Sequence, residues 1–201
     1  MKIALLGLLL TGMLASCSNR EASPNVAQTP VAAPTVAATT APANVPADEA
    51  ADSQPGFEGT VKTTEKKNPK ATGAAILRDV RAARHENYDR VVFEFEGAQL
   101  PSFKIEYIGK PVRACGSGEV VPFAGDAWLS VRFSAANAHT DAGEATIKDR
   151  TRSPNLPIVK DLKLICDFEA EVEWVMGVSA PNKYRVLELR SPTRLVVDIR
   201  H

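Results

Sequence analysis

From residue 90 onward, apolar and polar positions alternate with a period of two, the pattern of strands that bury one face. Val91, Phe93 and Phe95 share a face opposite Glu94 and Glu96, and Phe103, Ile105 and Tyr107 alternate with Lys104 and Glu106. Leu129, Val131 and Phe133 alternate with Ser130 and Arg132. The longest stripe is Val172, Trp174, Met176 and Val178, opposed by Glu171 and Glu173; the last is Leu195, Val197 and Ile199, against Asp198 and Arg200. Turn formers such as Gly97, Pro101, Gly109, Gly125, Asn182 and Pro192 separate the runs. Many short strands at this spacing predict an all-β sandwich or barrel. Ile76, Leu77, Val80 and Ala83 fit a helical stripe about as well as a strand. A strand is preferred, because residues 85–89 then read as a hairpin loop leading into the Val91 strand.

Upstream the pattern disappears. Residues 18–56 contain no aromatic, and 24 of the 39 positions are Ala, Pro, Thr or Ser. Such a stretch cannot bury enough apolar surface to offset its ordering entropy and reads as a disordered linker. Eleven of the twelve aromatics follow residue 70, which places a single folded domain at 71–201. The linker assignment runs to residue 70, with Lys62, Lys66, Lys67 and Lys70 read as a solvated linker end, against the alternative of contact with anionic polymer or lipid. Treated as a coil, the linker spans on the order of 40 Å.

The first residues look like an address. Lys2 precedes an uncharged run from Ile3 to Leu14, which as a helix would be about 18 Å long, short of the roughly 30 Å hydrocarbon core of a bilayer. An export signal at 1–16 fits better than a membrane span. The junction Leu14, Ala15, Ser16, Cys17 resembles the lipobox of bacterial lipoproteins, which makes Cys17 the expected lipidated residue, carrying palmitate or a similar acyl chain and anchoring the protein to the membrane. The expected location is outside the cytosol, on the outer side of the cytoplasmic membrane or in the periplasm. Two cysteines then remain, Cys115 and Cys166, an even number in an oxidising compartment. A disulfide between them is expected, the competing reading being two free thiols.

The charge balance narrows the partners. Residues 71–201 hold 18 Lys and Arg against 18 Asp and Glu, which argues against electrostatic capture of nucleic acid. His85, His139 and His201 lie too far apart for a zinc-ligand motif, and no metal or cofactor is expected. Gly116, Ser117 and Gly118 lack the spacing of a nucleophile elbow and read as a tight turn. Carboxylates at period two, including Glu94 with Glu96 and Glu169 with Glu171 and Glu173, read as exposed strand faces. Residues 134–160 form a long irregular insert. Its Lys148, Arg150 and Arg152 are candidates for binding carboxylates or phosphates of a wall polymer; a solvated loop is the equal alternative. Trp128 and Arg132 lie on the side of their strand opposite Leu129, where an outward ring would make a sugar-stacking platform. A second core layer under Trp128 is the competing, preferred explanation.

Seven segments carry a resemblance. They are residues 88–95, 115–118, 127–133, 166–168, 174–178, 184–189 and 194–199, the last reading Arg, Leu, Val, Val, Asp, Ile. In this order they resemble the AMIN-like domain of bacterial lipoproteins, a relative of the AMIN domain of cell-wall amidases and type IV pilus secretins. The resemblance covers about 75–201 and implies a β-sandwich without catalytic apparatus. AMIN domains are associated with attachment to peptidoglycan and with septal or secretin positioning. The expected function is therefore noncatalytic binding or scaffolding at the cell wall, with peptidoglycan or another wall polymer as ligand. The alternatives are a protein-interaction adaptor of an envelope complex and a hydrolase with an unfamiliar site.

Overall fold

Alternation becomes eleven strands among the residues described by the structure, a computed structural model covering 57–69 and 73–201. The expected signal, Cys17 and the Ala/Pro/Thr-rich stretch lie outside the described residues. The chain divides into two units, 1–44 and 45–201, and all described residues belong to the second.

The strands are β1 (Thr64–Lys66), β2 (Ala75–Arg84), β3 (Tyr88–Phe95), β4 (Ser102–Ile108), β5 (Ala127–Ser134), β6 (Ala136–Asn137), β7 (Thr151–Arg152), β8 (Val159–Phe168), β9 (Glu171–Val178), β10 (Tyr184–Leu189) and β11 (Thr193–Arg200). They form two sheets packed as a sandwich. The first has the order β1-β4-β5-β9-β8-β7 and the second β10-β11-β3-β2-β6. Every pairing is antiparallel except β2 with β6. The segment around Ile76 and Val80 is a strand, hairpinned to β3 through the backbone bond from His85 N–H to Tyr88 C=O.

The alternating apolar residues meet between the sheets. Phe133 of β5 makes edge-on contacts with Phe93 and Phe95 of β3, at centroid distances of 5.3 and 4.9 Å. Leu129, Val131, Trp174, Met176, Leu195, Val197 and Ile199 complete the same fully buried cluster. Each such side chain contributes about 1.5–3 kcal/mol on burial. Polar groups also couple the layers. Asp89 Oδ2, at the start of β3, accepts backbone N–H bonds from Ile158 and Val159 at 2.6 and 2.9 Å, where β8 begins. The Tyr184 hydroxyl of β10 reaches the Ile105 carbonyl of β4 at 3.0 Å and the Lys62 carbonyl at 2.6 Å.

The fold begins before residue 71. Residues 57–69, assigned to the linker by composition, run along one side of the sandwich from one sheet to the other. Thr60 exchanges backbone hydrogen bonds with Tyr184 in the second sheet, and β1 then adds to β4 in the first. Only three residues pair in β1, too few to produce a readable alternation. Lys66, expected to be solvated, donates to both carboxylate oxygens of Glu188 at 2.8 and 2.7 Å.

The polar faces also depart from a simple exposed surface. Glu173 is buried, accepting from Ser130 Oγ at 2.6 Å and Arg132 at 2.7 Å. Asp198 is wholly buried on the outer face of the second sheet. Its two oxygens accept from Arg90 at 2.7 and 3.0 Å, and Arg185 donates to Oδ2 at 2.8 Å. Arg185 in turn lies over the rings of Phe57 and Tyr88. Period two assigned these acids to the correct face, but other parts of the chain cover that face.

Candidate functional site

Residues 109–126, between β4 and β5, fold over the outer face of the first sheet. Val112 is buried there against Ile165 of β8 and Val175 of β9, with Trp128, Val121 and Phe123 packed around them. A register shift between Leu164 and Cys166 allows both Ile165 and Cys166 to serve this outer side. Cys166 is bonded to Cys115, with Cα atoms 5.2 Å apart, so the expected disulfide is present and pins the excursion to the sheet. The tip is the turn expected at Gly116–Gly118, bracketed by the bridge between Arg113 and Val120. At its far end the excursion touches β9 directly. Gly125 has φ of +98°, and a Cβ on Gly177 would lie 2.1 Å from the Ala124 carbonyl oxygen, so only glycine permits that approach. Asp161 fastens the same junction by accepting from Ala124 N–H at 2.8 Å and Ser153 Oγ at 2.6 Å, with Lys163 Nζ at 3.1 Å. Burial alone would raise the Asp161 pKa, but the hydrogen bonds from Ser153, Ala124 and Lys163 and the Lys163 charge outweigh it and hold the carboxyl below its ordinary value. The Tyr107 hydroxyl is displaced the other way: burial, reinforced by Tyr184, holds its pKa far above the usual value, and it donates to Asn182 C=O at 2.7 Å.

The five candidate binding residues fall in two places. Trp128 is on the outer face of β5, half-buried beneath the excursion, with Lys110 Nζ 4.2 Å from its ring centroid. It belongs to a second apolar layer, and the lysine occupies the ring face a sugar would need. Arg132, four residues along on the same face, is more than half exposed and paired with Glu173. Lys148, Arg150 and Arg152 lie on the other side of β8, on the insert.

That insert is ordered where irregularity was expected. Its β6 pairs with β2, its β7 pairs with β8, and His139 bridges Ala145, so it closes the side of the sandwich opposite residues 57–66. Asp167 holds it by accepting from Ala138 N–H and His139 Nδ1, both at 2.9 Å, and from Arg150 at 3.2 Å. Arg152 donates to the Val80 carbonyl and to Asp149, tying the insert to β2. Arg150 remains 44% exposed, and Lys148 is exposed with no ion pair among the described residues. The five residues therefore do not converge. Among the described residues, no group of three or more His, Cys, Asp or Glu is placed to hold a metal ion.

A concavity lies elsewhere, at the end of the sandwich where β3 turns into β4 and β10 into β11. It is a cleft of about 340 Å³ with walls from three segments: Lys66–Asn68, the loop through Gln99 and Leu100, and the hairpin around Arg190. Leu100, Phe103 and Leu189 form its apolar floor. Pattern reading offered Lys66 and Lys67 only as an alternative contact for anionic polymer, and it missed Arg190 and the cleft, because these cations sit in a linker-like stretch and in a two-strand turn.

Compared with known proteins, the chain matches the AMIN-like domain over residues 75–201. The chain belongs to the AMIN-like domain family. AMIN-like domains are generally noncatalytic binding modules associated with the cell envelope or periplasm. No curated protein and no solved structure matches this AMIN-like chain. The AMIN-like match starts at the first residue of β2, so residues 57–69, including the Lys66–Asn68 wall of the cleft, lie outside it.

Proposed function

We propose that this protein is a cell-envelope lipoprotein whose β-sandwich binds or scaffolds noncatalytically at the cell wall, with peptidoglycan or another wall polymer as its ligand. Cys17 carries the lipid, residues upstream of the sandwich serve as the tether, and the domain works on the outer side of the cytoplasmic membrane or in the periplasm. The observation that carries the reading is the membership of residues 75–201 in a noncatalytic, envelope-associated family. The Cys115–Cys166 bridge supports an oxidising location. Purified mature chain, confirmed folded, should be retained on insoluble peptidoglycan sacculi at low salt. Absence of retention would refute wall binding, and a mature N-terminus without acyl mass on Cys17 would refute the anchor.

A further inference from the structure

We propose that the cleft at the β3–β4 and β10–β11 end is the main grip on the polymer and takes a carboxylate-bearing stretch of it, held between Lys67 and Arg190. This rests on the wall-binding reading above and adds to it a site and a ligand chemistry.

Charge pairing within the cleft identifies the two residues. Glu188 is its one carboxylate, and both of its oxygens are taken up by Lys66. Lys67 is 84% exposed, and the nearest acid, Glu65, stands 3.9 Å away. The Arg190 guanidinium is exposed at the hairpin tip and has no side-chain partner among the described residues. Among the described residues, Arg190 thus lines the concave space without a compensating acid, and Lys67 is paired only with the exposed Glu65 at 3.9 Å. A guanidinium offers a carboxylate two parallel N–H bonds, and an ammonium adds a point charge. The floor of Leu100 and Phe103 suits the apolar faces of sugar rings, and the exposed Gln99 amide can bond their hydroxyls. Lys148 and Arg150, by contrast, stand on the closed edge of the sandwich, and Arg150 already shares Asp167.

The cleft lies far from the point where the described chain enters the sandwich. The described chain enters at Phe57, which packs against Arg185 and Tyr88 at the opposite end of β3 and β10. Eight strand residues separate the two ends, about 25 Å. Phe57 and the cleft thus lie at opposite ends of β3 and β10.

The test uses the mature full chain, as wild type, K67E/R190E and K148E/R150E, with sacculi as the probe. A second batch of sacculi has its carboxylates converted to amides. Affinity should fall at least about tenfold in K67E/R190E, and by a similar factor for wild type on the amidated batch. K148E/R150E should stay within about threefold of wild type. Both cleft residues are exposed, and K67A/R190A provides the same readout should charge reversal disturb folding. Unchanged retention of the cleft variants, or indifference to amidation, overturns the cleft assignment while leaving wall binding intact. Failure of the wild type to bind overturns both.

Discussion

Replacing Asp198 with Asn removes one charge from a place where water cannot compensate. Asp198 is fully buried, and Arg90 beside it is 2% exposed. The carboxylate accepts three hydrogen bonds of 2.7–3.0 Å from two guanidinium groups. Asparagine keeps the volume but loses the charge and substitutes a donor for one acceptor, which turns an N–H toward an arginine. Hydrogen bonds to charged groups contribute about 1.5–3 kcal/mol each, non-additively. Breaking a buried pair from one side typically costs about 3–5 kcal/mol, because the remaining charge stays buried. The loss for D198N should lie in that range, which for a domain of this size is a drop in melting temperature on the order of 10 °C. Urea unfolding of wild type, D198N, R185Q and the double variant measures both the loss and its coupling. The second substitution should cost clearly less in the D198N background than alone, since Arg185 would already have lost its acceptor. A cost below about 1 kcal/mol for D198N, or strict additivity, would refute the claim that this acid neutralises the outer face of the second sheet.

Three further outcomes follow from the geometry. Reducing the disulfide, or the C115S/C166S variant, should lower stability by about 4 kcal/mol in the loop-entropy model for a separation of 51 residues, read as a shift in urea midpoint. Gly177→Ala should cost about 1–3 kcal/mol by overpacking, since the new methyl meets a backbone oxygen of residue 124 instead of a mobile side chain; wild-type stability in that variant would mean that the excursion does not press on β9. The depressed pKa of Asp161 stabilises the folded state above the ordinary carboxyl range, and that contribution is lost as pH falls through the folded value. The acid limb of a stability–pH curve should therefore be shallower in D161N, and an unchanged limb would remove Asp161 from the acid-sensitive groups.

Sequence periodicity reads the strands well because each of β3, β4, β5, β9 and β11 places an unbroken apolar stripe against one common core. A repeat of two is then imposed by the backbone itself. The resemblance of residues 75–201, the pairing of Cys115 with Cys166 and the turn at Gly116–Gly118 were likewise accessible, since each depends on local order or on parity. The short strands were not. Two or three paired residues in β1, β6 and β7 contain too few alternations to stand out, and β1 and β6 are held by strands distant in sequence, β4 and β2.

Candidate binding residues were less legible for the same reason. Trp128 and Arg152 have the residue types that bind sugars and acids, yet Lys110 covers the one and the Val80 carbonyl engages the other. Lys67 and Arg190, 123 positions apart, share a cleft only because two strand ends meet there.

By itself, the amino-acid order determined the β class, the face on which each long strand buries its apolar residues, and the family. Tertiary structure alone decided which polar faces are covered, that residues 57–69 close one side of the sandwich, and where cations are left without acids. The physical reason is range: pleating and turn preference act between neighbours along the chain, whereas desolvation and charge pairing depend on whatever the fold brings within a few ångströms.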